Sequence, residues 1–280
     1  MKCTLLVLTL SNVTAWAAAS PAYGLAARVG ARTERNRLSH IRLPASSPKD
    51  IPGLESTNQT NIDFSCNWAG AVLAAPPSGT IFTSVSAEFT VPIPRTVNNR
   101  AGSSSAWVGI DGDTYQNAIL QTGIDFSVTA DGSASFTAWY EWYPDYAYDF
   151  SGISIQAGDT IFVLVRSSSF STGIAIIENL TTGEKVAQTL TAPHASSTLG
   201  GQNAEWIVED YKEGDGLVTL DNFGLVAFSN ARAGLSDGSP VGTDRANIVE
   251  LKQNGRVLTS VSVPSASEVI ITSRSWPEGL

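Results

Sequence analysis

The sequence predicts an all-β protein, a sandwich of two antiparallel β-sheets, and three observations support this prediction. After residue 60, short runs rich in β-branched and aromatic residues recur along the chain, separated by clusters of Gly, Asn, Asp, Ser and Pro. No long amphipathic segment with a 3.6-residue period occurs in that part of the chain. Hydrophobic residues make up 42% of the 280 residues and charged residues only 15%, which indicates a globular chain long enough to bury a full core.

The first 60 residues differ in composition from the rest. Residues 1–20 have a basic start, a short apolar run and small residues, a pattern typical of a secretory signal peptide, so we expect the protein to be secreted and extracellular. Residues 21–60 combine Pro, Ser and basic residues without strand alternation, which favours a pro-segment over a flexible linker. The packed domain then spans residues 61–280.

Charge divides at the same place. The first 60 residues carry seven Lys or Arg against three Asp or Glu, a net charge of +4, whereas the remainder carries −13. An acidic domain with few basic residues does not suit nucleic acid, which needs clustered Lys and Arg. It suits an acidic medium, although acidity that merely aids solubility is an equal alternative. A basic pro-segment could cover a carboxylate-lined groove, so the chain's own pro-segment is a candidate inhibitor.

Several other classes of protein are disfavoured. No segment beyond the signal peptide is apolar for long enough to cross a membrane. Once Cys3 leaves with the signal peptide, Cys66 has no partner for a disulfide, and we expect a buried, unreactive thiol. The chain has no HExxH motif, His pair or Cys pair, and Asp111 opens no complete calcium loop. We therefore expect neither a metal nor another cofactor.

The predicted strands follow one another along the domain. The runs lie at residues 65–73, 81–92, 106–111, 119–126, 134–144, 160–166, 173–179, 185–190, 203–210, 218–230, 248–252, 257–263 and 269–272. Two Asn-x-Thr acceptor sequences, at Asn58 and Asn179, predict surface turns that could carry glycans.

The stretch 106–126 is unusual because one face of its two strands is polar. Alternation places Trp107, Gly109 and Asp111 on one face of the first strand, and a turn at Gly112-Asp113-Thr114 leads to the second. In the second strand Gln121, Gly123 and Asp125 share a face. A Trp, an amide and two carboxylates beside glycines are typical of a binding groove rather than of plain solvated surface. The same parity puts Glu141, Glu205 and Glu209 on polar faces of later strands.

These residues leave two kinds of chemistry open. Two carboxylates that flank a sugar would make a glycoside hydrolase, with Glu141 and Glu209 on neighbouring strands as the pair and Trp107, Trp139 and Tyr143 as sugar platforms. The same aromatic residues would also suit a non-catalytic carbohydrate-binding module. Alternatively, a Glu can take a proton from water while a Gln orients that water and donates an N–H to the tetrahedral oxyanion of a peptide. A single Glu would then set a working range around pH 3–5, given its reference pKa.

Four motifs favour peptide hydrolysis over a sugar-related function: AWVGIDGDTYQNAILQTGIDF, AWYEWYPDYAYDF, ENLTTGEKV and NAEWIVEDY. In order and spacing they resemble the glutamic peptidases, or eqolisins, over about residues 67–230. The resemblance implies a sandwich of two roughly seven-stranded sheets, similar to the concanavalin-like lectin and glucanase architecture. It implies that Gln121 and Glu209 are catalytic and that Trp107, Asp111, Asp125 and Glu141 are their neighbours.

The resemblance also implies how the protein works. We expect a secreted acid endopeptidase, made as a precursor, that is insensitive to pepstatin and acts on polypeptides as a monomer. Glu209 would activate the attacking water, and Gln121 would orient it and stabilise the oxyanion.

Overall fold

A computed structural model describes residues 37–38, 41–45, 62–214 and 216–274, with only the backbone given at 37–38. The predicted signal peptide, most of the predicted pro-segment and Asn58 lie outside these residues. Within them, no helix is long and apolar enough to span a membrane.

The described residues form strands joined by turns and loops. The strands are β1 (Arg37–Leu38), β2 (Ile62–Ser65), β3 (Trp68–Leu73), β4 (Phe82–Thr90), β5 (Gly102–Ile110), β6 (Ile119–Val128), β7 (Ala134–Tyr143), β8 (Tyr148–Asp149), β9 (Thr160–Ser169), β10 (Thr172–Asn179), β11 (Lys185–Thr191), β12 (Ala204–Glu209), β13 (Lys212–Glu213), β14 (Gly216–Leu217), β15 (Leu225–Leu235), β16 (Pro240–Val241), β17 (Asn247–Gln253), β18 (Arg256–Val257), β19 (Thr259–Ser265) and β20 (Glu268–Ser273).

Two large sheets make up the sandwich. The larger has nine strands, in the order β18-β17-β3-β12-β5-β6-β7-β8 with β2 parallel to β17. The other has eight, in the order β11-β10-β9-β4-β15-β20-β19 with β16 beside β15. A small sheet, β1-β13-β14, completes the described strands. The predicted all-β sandwich is confirmed, although short extra strands raise both sheets above the seven that the resemblance implies.

Alternation along β5 and β6 explains how the sandwich packs. Ala106, Val108 and Ile110 point into the main core, where β5 and β6 contact β4, β9 and β10 of the opposite sheet. The intervening residues face the other way, onto the outer face of the larger sheet. That face has its own apolar cluster, formed by Trp68, Val72, Trp107, Ile119, Trp139, Ile207 and Val249.

Two predicted strand boundaries are wrong for local reasons. The strand predicted at 218–230 lies at Leu225–Leu235. It continues past residue 230 because Asn230, at a φ of 50°, belongs to a β-bulge within the strand rather than to its end. The predicted three-residue turn after β5 is an eight-residue loop, 111–118, which begins with Asp111 at a φ of 69° and Gly112 at 122°.

Two side chains are placed differently from the prediction. Asn179 is fully buried, and its amide donates to Ser154 O and to Asp159 Oδ2, each at 2.9 Å, so it caps a turn instead of presenting a glycan acceptor. Cys66 is a free thiol but only half-buried, because it lies in the bend between β2 and β3.

Candidate active site

Four neighbouring strands of the larger sheet, β12, β5, β6 and β7, carry the polar face that the sequence predicts. Because the strands are antiparallel and in register, side chains on this face form rows across the sheet. The first row is Glu205, Gly109, Gln121 and Glu141. The middle row is Ile207, Trp107, Gly123 and Trp139. The third row is Glu209, Ser105, Asp125 and Thr137.

Glu209 lies at the end of β12 and is fully buried. The indole Nε1–H of Trp107 donates to its Oε2 at 2.9 Å, and Nδ2 of Asn67 donates to its Oε1 at 3.4 Å. Hydrogen bonds to an ionised acceptor are stronger than those between neutral groups. The carboxylate is therefore fixed in place by one donor on each oxygen.

The Trp107 indole fits on the sheet because glycines surround it. A Cβ on Gly123, directly opposite on β6, would lie 2.5 Å from the Trp107 Cβ, and a Cβ on Gly109 would lie 2.8 Å from Cζ3 of the ring. Trp68 packs against the indole edge-on, with ring centroids 5.0 Å apart. The indole thus reaches from the Glu209 carboxylate toward the row that contains Gln121.

Gln121 is also fully buried, and neither atom of its side-chain amide has a hydrogen-bond partner. Glu141 is its cross-strand neighbour on β7, and Gly109 is its neighbour on β5. A buried amide whose donor and acceptor are both unused is costly to the fold. Such an amide is the expected state of a group that binds a substrate or transition state.

Glu205 lies in the same row as Gln121, one strand beyond Gly109. It is fully buried, and neither carboxyl oxygen has a partner. Burial raises the pKa of Glu205 well above its usual value, and the nearby charges of Asp111 and Asp113 raise it further. The side chain is therefore a neutral carboxylic acid over the acid range. The sequence motifs place Glu205 outside the catalytic pair, whereas the register places it in the same row as Gln121, two strands away.

Asp111, which follows β5, anchors a loop. Its two oxygens accept backbone N–H groups from four consecutive residues, at 2.7, 3.0, 2.7 and 3.3 Å: Gly200, Gly201, Gln202 and Asn203. Burial raises its pKa, and the four backbone hydrogen bonds only partly oppose that effect. In return, Oδ1 of Asn203 accepts the backbone N–H groups of Asp113, Thr114 and Tyr115. Asp111 thus borders the site, and its oxygens are used by the protein itself.

Asp125 and Trp139 complete the face. Asp125 is 4% exposed and lies in the Glu209 row, separated from Glu209 by Ser105. The indole Nε1–H of Trp139 donates to Ser105 Oγ at 3.0 Å. Trp107 and Trp139 are both fully buried with their N–H groups engaged, which does not fit the exposed platforms that a sugar site needs.

Distances along the sheet separate the candidate pairs. Strand and residue spacings place the Cα atoms of Gln121 and Glu209 about 16 Å apart in a flat sheet, on the same face. The same spacings give about 20 Å for Glu141 and Glu209, because β5 and β6 lie between their strands. The prediction that these two carboxylates lie on neighbouring strands is wrong, and glycoside hydrolases need carboxyl groups about 5–9.5 Å apart.

Part of the predicted pro-segment, residues 41–45, lies against this site. Nδ2 of Asn67, the group that donates to Glu209, also donates to Ile41 O at 3.3 Å, while Asn67 Oδ1 accepts the N–H of Leu43 at 2.9 Å. Ile41 packs against the apolar cluster around Trp107. One side chain, Asn67, therefore connects residues 41–45 with Glu209.

A basic side chain of the same segment binds two carboxylates of the domain. Nη1 of Arg42 lies 2.8 Å from Oδ1 of Asp113, and Nη2 lies 3.1 Å from Oδ2 of Asp63. The backbone N–H of Arg42 donates to Gly112 O at 3.2 Å. The Arg42 side chain is only 14% exposed, so its pairing with Asp113 is shielded from solvent better than a surface ion pair.

The clustering of possible metal ligands was also considered for the part of the chain that the structure describes. No group of three or more His, Cys, Asp or Glu side chains there could hold a metal ion.

Comparison with known proteins places the chain in a family. A family described as the Peptidase A4 family matches residues 66–273. The chain belongs to the peptidase A4 family. It is 46% identical to aspergillopepsin-2 of Aspergillus niger over 269 residues, covering 88% of this chain and 90% of that protein. It is 37% identical to scytalidopepsin B of Scytalidium lignicola over 239 residues, covering 83% and 85%.

A solved structure supports the same assignment. The chain is similar to scytalido-glutamic peptidase, crystallised with a transition state analog inhibitor, with a TM-score of 0.67 and 39% identity. The match covers 75% of this chain and 98% of that one. The predicted family and the predicted enzyme class, a glutamic-type peptidase, are confirmed.

Asn67 is the contact residue that sequence reasoning missed. Its side chain donates hydrogen bonds to Glu209 and to Ile41 O, yet it lies in the bend before β3, where strand alternation carries no information. The motifs gave no signal for it, since Asn67 and Glu209 are 142 positions apart.

Proposed function

We propose that the chain is a secreted acid endopeptidase in which Glu209 is the general base and Gln121 stabilises the oxyanion. One observation carries this proposal. Gln121 presents a fully buried amide without a protein partner, on the same sheet face as a Glu209 carboxylate that two N–H donors hold in place. The family membership and the names of the relatives agree with hydrolysis of peptide bonds.

The reaction uses these two groups in turn. The Glu209 carboxylate takes a proton from water as the water oxygen bonds to the peptide carbonyl carbon. The carbonyl oxygen becomes an oxyanion, to which Nε2 of Gln121 donates a hydrogen bond. The protonated Glu209 then gives its proton to the amide nitrogen, the C–N bond breaks, and a carboxyl group and an amine leave.

The sheet geometry leaves room for this chemistry. With Cα atoms about 16 Å apart, the side chains of Gln121 and Glu209 do not meet across the middle row. Water and the scissile peptide would occupy the gap over Trp107, which donates to Glu209 from below. Trp107 would thus lie beneath the substrate and also donate a hydrogen bond to Glu209.

Two variants test the proposal. Glu209→Gln removes the base while keeping the shape, and Gln121→Ala removes the oxyanion donor. We expect both folded variants to lose at least about 100-fold in kcat on denatured protein at pH 3–4. Glu178→Gln makes the same chemical change on β10 of the other sheet and should leave activity intact. Full activity in folded Glu209→Gln would refute the assignment, and inhibition of the wild type by pepstatin would contradict the proposed class.

We also propose that the pro-segment inhibits the enzyme until acid releases it. The contacts of Ile41 and Arg42 with the site support this. Arg42 is held by two ion pairs, and ion pairs between a cation and a carboxylate weaken in acid in general, which favours release of this segment as the pH falls. We further propose that residues 1–20 direct export, and that the enzyme acts outside the cell as a monomer. A secretion assay of the chain with and without residues 1–20 tests the export.

A further inference from the structure

The stretch of chain that lies against the site, beginning at Ile41, is bound there through its backbone. Oδ1 of Asn67 accepts the N–H of Leu43 at 2.9 Å, and Nδ2 of Asn67 donates to Ile41 O at 3.3 Å. The N–H of Arg42, between them, donates to Gly112 O at 3.2 Å. Because a side-chain amide carries the same donor and acceptor as a peptide bond, Asn67 pairs with this stretch as a neighbouring strand would.

Further backbone contacts hold the same stretch on either side. Leu43 O accepts the N–H of Cys66 at 2.8 Å, and the N–H of Ala45 donates to Phe64 O at 3.1 Å. Residues 37–38 pair antiparallel with β13. Every polypeptide carries these main-chain groups, so binding of this kind, in which a peptide adds to the edge of a sheet, depends little on its sequence.

The carbonyl group of Ile41 lies beside the proposed general base. One nitrogen, Nδ2 of Asn67, donates to Ile41 O at 3.3 Å and to Glu209 Oε1 at 3.4 Å, and its two hydrogens can serve both acceptors at once. The Ile41 side chain packs against the apolar cluster that contains Trp107, the other donor to Glu209. Residues 41–43 therefore occupy the place to which a substrate brings its peptide group in the proposed mechanism.

Asn67 is itself held in position by the domain. It is fully buried, and the hydroxyl of Ser65 accepts its backbone N–H at 3.2 Å and donates to its Oδ1 at 2.9 Å. Its backbone carbonyl accepts the N–H of Asp210 at 2.9 Å. These bonds tie Asn67 to the end of β12, where Glu209 lies.

We propose that Asn67 is a substrate-binding residue whose side-chain amide binds the backbone of a polypeptide at two groups, the C=O of one residue and the N–H of the residue two positions later. The substrate takes the place of residues 41–43, with the first of these groups next to Glu209. This inference rests on the proposed function, because it requires a polypeptide to be the substrate of this site.

A synthetic peptide of residues 37–45 tests whether this stretch and the substrate bind in one place. Added to the acid-activated enzyme, it should inhibit the cleavage of a fluorogenic peptide competitively. Methylation of the Leu43 nitrogen removes the N–H that donates to Asn67 Oδ1, so we expect it to raise the Ki of the peptide about tenfold.

An Asn67→Ala enzyme separates substrate binding from a structural role. In this variant the methylated and unmethylated peptides should have Ki values within about threefold of each other, because the acceptor of the methylated group is gone. The KM of the fluorogenic peptide should rise about tenfold. A general loss of structure would weaken both peptides alike and preserve the effect of methylation. Gln188→Ala, which removes a side-chain amide from β11 of the other sheet, is the matched control and should change neither quantity.

Three results would overturn the inference. These are absent or noncompetitive inhibition by the 37–45 peptide, a methylation effect as large in Asn67→Ala as in the wild type, and an unchanged KM in Asn67→Ala. If folded Glu209→Gln kept full activity, the proposed function itself would fail, whereas the dependence of the peptide's Ki on Asn67 would not be affected by that result.

Discussion

Two buried aspartates below the site make the stability of the domain depend on pH. Asp210 is 1% exposed and accepts a hydrogen bond from Gln253 Nε2 at 2.6 Å, but its Oδ1 has no partner. Asp221 is fully buried and accepts from the Ser104 hydroxyl, and its Oδ2 has no partner. Burial raises the pKa of Asp210 to about 8 and that of Asp221 to about 7.

The sign of the effect follows from proton linkage. Below about pH 3 both groups are protonated in the folded and the unfolded chain, so neither affects the free energy of unfolding. As the pH rises, the unfolded chain releases these protons while the folded chain keeps them, which favours unfolding. Each group contributes a slope of at most about 1.4 kcal/mol per pH unit, so the two together lower the stability by about 7 kcal/mol between pH 4 and 7. That loss is comparable to the whole stability of an ordinary domain.

Urea unfolding at pH 3, 4, 5, 6 and 7 measures this slope. The Glu209→Gln background suppresses self-digestion. We expect Asp210→Asn and Asp221→Asn each to flatten the dependence of unfolding free energy on pH by about 1.4 kcal/mol per unit. Asp237→Asn, at an exposed turn whose hydrogen bonds to Ser239 lower the pKa, is the matched control. A double variant, Asp210→Asn with Asp221→Asn, that keeps the wild-type slope would refute the reasoning.

Three further predictions concern the site. Trp107→Phe removes the N–H that donates to Glu209, so we expect kcat on denatured protein to fall about tenfold. Circular dichroism should show that the fold is retained, and an unchanged kcat would contradict the role of the indole. Asp111→Ala leaves four backbone N–H groups without an acceptor, so we expect the free energy of unfolding in urea to fall by at least about 2 kcal/mol. A change smaller than the measurement error would show that contacts other than these four hydrogen bonds hold the loop. Arg42→Gln removes the ion pair with Asp113, so we expect the precursor to become active at a higher pH than the wild type when it is acidified in steps. An unchanged activation pH would count against an inhibitory role for this contact.

Local alternation predicted the faces of the strands. The sequence places Trp107 and Gln121 on one face of the hairpin and Val108 on the other, and the structure agrees. The side-chain period of two in a strand depends only on neighbouring residues, so it can be read without knowing the fold.

Strand pairing was not predictable in the same way. Nothing local in the sequence shows that β12 inserts between β3 and β5. The sequence therefore left open a Glu141–Glu209 pair on neighbouring strands, and it did not show that Glu205 lies in the same row as Gln121. The bulge at Asn230 and the buried cap at Asn179 are likewise properties of tertiary contacts, which override local preference.

The position of β12 bears on when the enzyme can first act during synthesis. Glu209 meets Trp107 across 102 residues and Asn67 across 142, because its strand fills the centre of a sheet whose flanking strands are made much earlier. A ribosome-bound chain that ends before β12 therefore has a central gap in this sheet and lacks Glu209, the proposed general base. Pairings this distant in sequence are also slow to form. This sheet can therefore be completed only after β12 has been synthesised.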